Sequence, residues 1–413
     1  MIGRALSVIL KRSLSPFVFT SGHGRAQARD VPNLGLYVHV PFCRTLCDFC
    51  PYFKTTYDAD LVAPFVSALI KEIESTRDGE RLPVTSIYFG GGTPGLLIDQ
   101  LPAIQHALHE AFRVEGPSGI ELHPDDIRPG AGAALRAAGF EMVSVGVQSF
   151  QEHCLRALGR GHADLAERIR TIREGGFSVV DVDLIFGIPG QNVDDIEADF
   201  RTAVSSGATQ ISTYPFIDFT YAHNKRKPLG RRQKRALLDA ILNVSHELGF
   251  ERTSVWTFAQ RGTDRYSSIT RDNYLGYGPS AASLLQTSFS TNVFSLPEYI
   301  RAIEAGRSPT ALRVNLSPRE RELIWLFWHS YNLEIDQPQY AELFNEALDQ
   351  AFGPELRVAR FLKVVERHGD SYALTRKGAY LFHLIEQEYT NQYIDKVWRL
   401  STETAWPKEL VIR

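Results

Sequence analysis

The sequence lacks the features that are typical of membrane-spanning, disulfide-rich and nucleic-acid-binding proteins. No apolar run approaches the roughly 18 residues that a bilayer span needs. The 45 basic and 48 acidic residues leave a net charge of −3, so no long-range positive field draws the chain to nucleic acid or anionic lipid. The apolar fraction of 44% is that of an ordinary globular protein. We therefore expect no membrane span and no nucleic-acid partner.

Cysteine is also scarce, and its distribution excludes a set of structural disulfides. The chain has four cysteines, of which Cys43, Cys47 and Cys50 lie close together and Cys154 lies far downstream. A disulfide framework spreads its cysteines through a small secreted domain, whereas a cluster of three in a chain of this size indicates a metal site. This spacing favours a reducing compartment, and we expect a cytoplasmic protein.

Acidic residues are absent from the first 29 positions, where Arg4, Lys11 and Arg12 are among the basic ones. Such a segment is typical of a mitochondrial presequence or of a basic arm that packs on the next domain. Residues 16–19 (PFVF) favour the arm, because a presequence does not need them. We assign residues 1–33 to a basic N-terminal arm, and a mitochondrial location follows only if the segment is a presequence.

From residue 34 onward, short apolar segments alternate with amphipathic ones. The predicted strands are 36–40, 87–89, 120–122, 143–147, 179–186 and 210–214, and the predicted helices between them are 60–77, 99–113, 129–138, 163–175 and 192–206. Strands separated by helices indicate βαβ units and a parallel sheet. Six units are too few to close an eight-fold barrel, so we predict an α/β fold with a partial (β/α)6 barrel. Its site would lie at the carboxyl ends of the strands.

The second half contains a basic segment, a glycine-rich stretch and a helical end. Residues 225–235 contain seven basic side chains. They could bind propionates or phosphates at the rim of the barrel. We favour the alternative that they belong to a solvated loop and to the start of a helix predicted at 232–248. Further helices are predicted at 317–331, 338–350, 355–367 and 376–399, with two short strands around Gly369. This order resembles a winged helix, and its slightly negative charge favours a lid or docking role over reading DNA. We place the two domains at 34–310 and 311–413.

The spacing C-x3-C-x2-C of Cys43, Cys47 and Cys50 follows the first predicted strand directly. Thiolates are soft ligands that suit zinc or an iron–sulfur cluster. A [4Fe–4S] cluster usually takes four cysteines, so three would leave one iron open. His39 could instead complete a Cys3His zinc site, although a core or hydrogen-bonded histidine fits as well. Cys154, flanked by apolar residues at helical spacing, is more simply a buried core thiol.

Five further motifs follow the cysteines in order. They are GGGTP at 90–94, ELHP at 121–124, SVGVQSF at 144–150, LGRGH at 158–162 and DLIFGIPGQ at 183–191. With the cysteine loop, this set resembles the radical S-adenosylmethionine (SAM) enzymes and is most similar to their HemN-like branch. The similarity runs from about residue 34 to 310, and more loosely beyond.

The resemblance implies a [4Fe–4S] cluster held by Cys43, Cys47 and Cys50, with SAM on the open iron. Reduction then yields a 5′-deoxyadenosyl radical, with a reductant such as flavodoxin or ferredoxin as a partner. Matching positions imply SAM contacts, some of them to a second SAM molecule, at Tyr37, Phe49, Gly91, Gly92, Thr93, Glu121, Gln148, Arg160, Asp183 and Ala282. The late glycine-rich stretch 276–282 carries the last of these.

The sequence departs from the branch at two places that bear on the reaction. The decarboxylating coproporphyrinogen enzymes have a fourth cysteine where this chain has Tyr52, and the heme-chaperone relatives have a histidine that residues 268–274 lack. The resemblance therefore implies first a radical SAM enzyme that modifies a hydrophobic, conjugated or aromatic substrate by C-methylation with a second SAM. The substrate would be a small hydrophobic or a tetrapyrrole-like molecule. Coproporphyrinogen oxidase-like decarboxylation and a heme-binding chaperone remain the alternatives.

Overall fold

The computed structural model describes residues 17–22, 24, 28, 31–77, 79–161, 164–222, 227–264 and 272–412. The alternation expected from residue 34 onward is confirmed. Strands are numbered in chain order. The six core strands are β2 (Leu34–Val40), β6 (Ser86–Gly91), β8 (Ser118–Leu122), β9 (Met142–Gln148), β10 (Val179–Phe186) and β11 (Gln210–Pro215). The other strands of this part of the chain are β1 (Phe17–Ser21), β3 (Phe42–Cys43), β4 (Thr55–Thr56), β5 (Pro83–Val84) and β7 (Arg113–Val114). The helices between them are Ala59–Glu74, Leu101–Ala111, Ala131–Ala137, Glu152–Ala157, Leu165–Arg173 and Val193–Ser205.

The later elements were only partly expected from the sequence. The helix Arg231–Glu247 is followed by the strands β12 (Phe250–Arg252), β13 (Thr257–Gln260), β14 (Asn273–Tyr277), β15 (Ala282–Leu285) and β16 (Ser288–Asn292), the helix Leu296–Glu304 and β17 (Thr310–Asn315). No helix in the described part of the chain combines the length and apolar character that a bilayer crossing requires.

One large sheet organises the fold. Among the described residues it has fourteen strands in the order β12-β13-β11-β10-β9-β8-β6-β2-β14-β15-β16-β17-β1-β21, where β21 is Glu409–Ile412. The six core strands lie side by side in chain order and pair in parallel, which right-handed βαβ crossovers produce. β12 and β21 are its two edges, so the sheet is open. This confirms a partial barrel.

The core strands form where the sequence is apolar on both faces. In β10 (VVDVDLIF) seven of the eight residues are buried, as expected for a parallel strand covered by helices on one side and facing a filled interior on the other. The helix Ala59–Glu74 begins at Asp58, whose side chain accepts a hydrogen bond from the Asp60 backbone, and it buries Phe65, Leu69 and Ile73. Local capping and patterning therefore agree with the global topology.

The N-terminal segment contributes a strand to the same sheet. β1 pairs antiparallel with β17 on one side and with β21 on the other, and Phe19 is buried between them. The packing expected of residues 17–19 is present, whereas residues 1–16 lie outside the described residues. The assignment of residues 1–33 to an arm, and the domain boundary near residue 310, stay predictions. The sheet itself continues through residue 310, because β17 pairs with both β16 and β1.

The C-terminal region is helical with a small sheet, as expected from its sequence. Its helices are Pro318–Tyr331, Gln337–Phe344, Leu348–Phe361, Arg376–Tyr389 and Asp395–Glu403, and a three-stranded sheet joins β18 (Glu334–Asp336), β20 (Ser371–Leu374) and β19 (Val365–His368). The predicted helices 338–350 and 355–367 were wrong in their bounds. Asn345, with φ 54°, ends the first of them early, and β19 takes the end of the second. A π-helical turn at Thr390–Ile394 divides the predicted helix 376–399.

A buried carboxylate joins the C-terminal helices to the main sheet. Asp272 accepts hydrogen bonds from Asn33 Nδ2 at 2.7 Å, Trp325 Nε1 at 2.8 Å, Gln339 Nε2 at 2.8 Å and His329 Nε2 at 3.1 Å. Its exposed fraction is 5%. Burial alone would raise the pKa of Asp272, but the hydrogen bonds from His329 and Asn33 outweigh it and hold the pKa below its usual value.

Replacing this carboxylate tests the junction. We expect Asp272→Ala to lower the free energy of unfolding by about 3 kcal/mol, because four buried donors lose their acceptor. Since its pKa is depressed, the stabilisation by Asp272 should fade as the pH falls through that pKa. Urea unfolding at pH 7 and in acid measures both effects. Asp264→Ala, at an exposed position, is the control, and equal midpoints for the two variants would contradict the assignment.

Candidate active site

A cavity of about 1360 Å³ opens at the carboxyl ends of the core strands. One side is formed by the cysteine loop and the ends of β6, β8, β9 and β10, and the other by the C-terminal helices. Ordinary small-molecule sites have roughly 300–1,000 Å³. The cavity therefore has room for a cofactor together with a substrate.

The cysteine loop is closed at its base by a short parallel ladder. β3 and β4 pair Phe42 with Thr55 and Cys43 with Thr56, so the chain between them bulges into the cavity. Thr93 Oγ1 donates to Cys43 Sγ at 3.5 Å, and Lys54 Nζ donates to the Cys50 carbonyl at 2.9 Å. Thr93, in the GGGTP motif, thus holds the start of the loop, and Lys54, just before β4, holds its end.

The donor set of this loop fits an iron–sulfur cluster. Cys43, Cys47 and Cys50 are free thiols that line the cavity. Burial raises the pKa of Cys47, while the charges of Arg160 and Lys54 lower it and so favour the thiolate that a metal needs. Burial raises the pKa of Cys43 to about 11. A bound metal would offset this cost.

The fourth cysteine lies elsewhere. Cys154 is fully buried in an apolar cluster with Leu158, Ile185, Ile188 and Phe216. Burial raises the pKa of Cys154 to about 12, so it stays a neutral thiol. The chain therefore brings three thiols, not four, to the cavity.

His39 has no ring nitrogen left for a metal. Its Nε2 donates to the Phe53 carbonyl at 2.9 Å, and its Nδ1 accepts from the Tyr37 hydroxyl at 3.0 Å. Burial lowers the pKa of His39 to about 4, so the ring is neutral. It is a hydrogen-bonded core histidine, and the Cys3His zinc alternative loses its fourth ligand.

The glycine motif at 90–92 is required by close packing. Gly91 has φ 106°, and a Cβ there would lie 2.4 Å from the His39 ring. A Cβ on Gly92 would lie 2.6 Å from the Phe42 carbonyl oxygen, and one on Gly90 would lie 2.8 Å from Glu121 Oε2. The end of β6 therefore approaches the cysteine loop more closely than any side chain would permit.

Glu121 faces the cavity from the next strand, β8. It accepts from the Tyr88 hydroxyl at 2.5 Å and from the Gly91 backbone N–H at 3.2 Å. Burial raises its pKa, and these two hydrogen bonds lower it in part. Glu121 is thus held in place by neighbours on β6, with its carboxyl at the cavity wall.

Gln148, Arg160 and Asp183 are positioned by the ends of β9 and β10. Gln148 has φ 73°, and the ladder between the two strands shifts register beside it, a bulge of the kind that re-aims a side chain. Arg160 Nη1 donates to the Gly146 carbonyl at 2.9 Å, and its Nη2 lies 2.6 Å from His123 Nε2. Asp183 accepts from Ser144 Oγ at 2.8 Å, and burial raises its pKa well above the usual value.

Most of the expected SAM contacts share this cavity. Its wall includes Phe49, Gly91, Gly92, Thr93, Glu121, Gln148, Arg160, Asp183 and Ala282 together with the three cysteines. Tyr37 is the exception, because its hydroxyl is bound to His39 and its ring stacks on Tyr88 behind the wall, with 6.2 Å between ring centroids. His162, at the end of the LGRGH motif, lies outside the described residues.

Sequence reasoning missed several groups that shape the site. Tyr88 binds Glu121 and His123 binds Arg160. The sequence placed Tyr88 in a predicted strand and His123 in the ELHP motif, and neither was singled out as a site residue. Asp181 had a clearer signal, since it precedes Asp183 by two residues and so shares its face of β10. Its carboxylate accepts from Ser212 Oγ at 2.7 Å and from Gln210 Nε2 at 2.9 Å, and burial raises its pKa to about 6.

The far side of the cavity is a wall of aromatic rings, which we call the aromatic wall. Its members are Trp256, Phe327, Trp328, Tyr331, Tyr389 and Tyr393. Neighbouring rings of the wall pack against each other. The distances between ring centroids are 5.7 Å for Trp256 and Tyr331, 4.8 Å for Phe327 and Tyr389, and 5.3 Å for Tyr389 and Tyr393. Nothing in the local sequence distinguished these aromatics from ordinary core residues.

The basic segment is divided between surface and cavity. Arg231 and Lys234 reach the cavity, and Lys234 Nζ donates to the Phe216 carbonyl at 2.6 Å, with its pKa lowered to about 8 by burial. Arg235 lies 4.6 Å from the centre of the Tyr380 ring, and Lys227 pairs with Asp218 at the surface. Residues 223–226 lie outside the described residues.

Comparison with known proteins gives consistent results. Residues 37–203 match the family model described as the radical SAM superfamily. The heme chaperone HemW of Bacillus subtilis is 26% identical over 364 residues, covering 84% of this chain and 96% of that protein. The oxygen-independent coproporphyrinogen III oxidase of Synechocystis sp. is 24% identical over 413 residues, covering 91% and 88%.

Among solved structures, coproporphyrinogen III oxidase (HemN) from Escherichia coli matches with a TM-score of 0.75 at 21% identity. The match covers 92% of this chain and 98% of that one. At this identity the likeness shows that the two chains share a fold.

The packing of the glycine motif is open to a direct test. We expect Gly91→Ala to lower the free energy of unfolding by about 2 kcal/mol, because the residue keeps a positive φ and its Cβ meets the His39 ring. Thermal and urea unfolding measure the change. Gly161→Ala, where no atom lies within 4 Å of the added Cβ, is the matched control. If both variants unfold alike, the close approach of β6 to His39 is wrong.

Proposed function

Because the chain is a member of the radical SAM superfamily, in its HemN-like branch, we propose that Cys43, Cys47 and Cys50 hold a [4Fe–4S] cluster and that the cavity binds SAM beside it. The observation that carries the proposal is that three thiols, and no fourth, open onto one large cavity. When bound and reduced by an external electron donor, a cluster with one iron free of protein ligands would supply the electron for cleavage of SAM to a 5′-deoxyadenosyl radical. The protein supplies position and shelter.

The proposed SAM contacts have distinct tasks. The backbone at Gly91 and Gly92 would approach the amino-acid end of SAM, because no Cβ stands in the way. Glu121 would accept hydrogen bonds from the ammonium group or a ribose hydroxyl. Gln148 and Asp183 face the same mouth from neighbouring strands, and Arg160 would bind a carboxylate. Phe49, Thr93 and Ala282 complete this part of the wall, and Tyr37 would act only from behind it, through His39.

A reactive radical also needs a site from which water is excluded. Phe216, Ile217 and Phe219 of the segment 216–222 line the cavity, and the segment is fixed at two points. Thr220 donates to Asp395 through both its backbone N–H and its hydroxyl, each at 2.6 Å, and the Tyr221 hydroxyl donates to the Pro51 carbonyl at 2.8 Å. The segment thereby ties the C-terminal region to the residue that follows Cys50.

The charges of the cavity favour a substrate with few carboxylates. Among the described residues that line the cavity, acidic side chains outnumber basic ones. The acidic residues are Glu121, Asp125, Asp126, Asp181, Asp183, Glu320, Glu386 and Glu388. The basic residues are Arg44, Lys54, Arg160, Arg231 and Lys234. Lys54 and Lys234 are already bound to backbone carbonyls, and Arg44 lies 3.5 Å from Asp126. A substrate with several propionates would find few free cations here, whereas a flat aromatic substrate would pack on the aromatic wall.

We propose that the reaction is C-methylation of such a substrate, with a second SAM as the carbon donor. The volume of the cavity and the replacement of a cysteine by Tyr52, which faces the cavity, support this choice. Decarboxylation of a coproporphyrinogen is the alternative that the Synechocystis relative favours. A heme chaperone is the one that the Bacillus relative favours.

Cysteine variants test the cluster. After anaerobic reconstitution, Cys43→Ala, Cys47→Ala and Cys50→Ala should each lose the brown absorbance and the bound iron, because each removes one of three ligands. Cys154→Ala is the matched control and should keep both, since its thiol lies in the apolar cluster. Loss of iron from the Cys154 variant alone, or zinc in the reconstituted protein, would refute the assignment.

Product analysis tests the reaction. The reduced protein with SAM should form 5′-deoxyadenosine, and the Cys43→Ala variant should form none. Methyl transfer predicts S-adenosylhomocysteine as a second product with an aromatic substrate. Release of carbon dioxide from coproporphyrinogen III would instead establish decarboxylation, and stoichiometric heme retention without SAM cleavage would establish a chaperone.

A further inference from the structure

A buried carboxyl group, that of Glu386, lies among the residues of the aromatic wall. Glu386 lies on the helix Arg376–Tyr389, contributes to the lining of the cavity and has an exposed fraction of 7%. Its Oε1 accepts from Thr390 Oγ1 at 2.9 Å. Its Oε2 is buried and has no hydrogen-bond partner among the residues that the structure describes. A buried polar atom without a partner is costly, so its presence in a cavity wall calls for an explanation.

We propose that Glu386 is a substrate-binding residue that donates a hydrogen bond from its protonated carboxyl group to a carbonyl oxygen or ring nitrogen of a flat, uncharged aromatic substrate. The inference rests on the proposed function, because it names the substrate class of the same cavity. One oxygen of the carboxyl accepts a hydrogen bond from Thr390, and the other has no partner among the described residues. The aromatic wall provides a stacking surface for a flat ligand.

The surroundings of Glu386 keep the group neutral. Burial raises its pKa to about 8, and the hydrogen bond from Thr390 offsets this only in part. The titratable groups that face it are Tyr331 from the helix Pro318–Tyr331 and Tyr389 from its own helix, and burial raises the pKa of both phenols. A neutral carboxyl donates one hydrogen bond, which an ionised one cannot do.

Two polar side chains on the same helix, His383 and Gln387, are already bound to other groups. His383 Nδ1 accepts from Trp256 Nε1 at 2.8 Å, and its Nε2 lies 2.7 Å from the Gln387 side-chain amide. Burial lowers the pKa of His383 to about 3, so this pair is neutral and internally satisfied. Of these buried groups, Glu386 is the one with bonding capacity left for a ligand.

Binding of two acridine probes to the reconstituted, anaerobic protein tests the proposal. Acridone is uncharged and carries a carbonyl acceptor, whereas N-methylacridinium has a similar shape, a positive charge and no acceptor. Fluorescence titration should show acridone binding to the wild type. Glu386→Leu should weaken it at least about 10-fold, and Glu386→Gln, whose amide still donates, should stay within about 3-fold. Glu403→Gln, at an exposed position, is the control.

The pH dependence and the infrared spectrum provide readouts that a folding defect would not imitate. Acridone affinity of the wild type should fall as the pH rises through about 8, because the donor ionises, and that of Glu386→Gln should not. The difference spectrum between wild type and Glu386→Gln should show a protonated-carboxyl C=O band that shifts to lower frequency when acridone is added.

Three results would overturn the proposal. They are failure of the wild type to bind acridone, undiminished binding by a folded Glu386→Leu variant, and tighter binding of N-methylacridinium that both variants abolish. The last would mean that an ionised Glu386 binds a cation. Formation of 5′-deoxyadenosine, measured separately on each variant, keeps a failure of this proposal distinct from a failure of radical SAM chemistry.

Discussion

The packing around the His39 ring is the constraint on which the rest of the site depends. The imidazole binds the carbonyl of Phe53, where the cysteine loop returns, and lies 3.3 Å from Ser280 Oγ in the late glycine-rich stretch. Gly91 has no side chain because the ring takes its place, and a Cβ on Gly278 would lie 2.4 Å from the His39 carbonyl oxygen. Three segments that are remote in sequence thus meet at one neutral side chain, which sets where the three thiols lie.

The cavity belongs to both halves of the molecule. The cysteine loop supplies thiols and the core strands supply carboxylates, while the C-terminal helices supply most of the aromatic wall. Asp272 and Asp395 hold these halves together at opposite ends of the C-terminal region, one by four side-chain donors and the other by Thr220. The two sides of the cavity therefore come from separate parts of the chain.

The sequence predicted the core strands and the shared cavity well, because both depend on short-range patterns. Apolar runs such as 179–186 have one stable arrangement in a parallel sheet, and residues at the ends of such strands must meet. The sequence did not predict β1, β15, β16 or β17. These strands are short and contain serine and threonine, and distant partners decide how they pair. The sequence also did not predict that Tyr37 lies behind the cavity wall, because the direction of its side chain follows from its hydrogen bond to His39. The aromatic wall lacked any local signal, because an aromatic residue on a helix packs into a core as readily as around a ligand.

The position of β1 has a consequence for the order in which the protein assembles. β1 lies early in the given sequence, yet its partners among the described residues are β17 and β21, which are made about three hundred residues or more later. Phe17 and Phe19 of this strand line the cavity, and Phe17 rests on Tyr393 with 6.0 Å between ring centroids. During synthesis, the cysteine loop and its supporting strands therefore exist while this flank is still open. This flank of the cavity is completed only after β17 and β21 have been made.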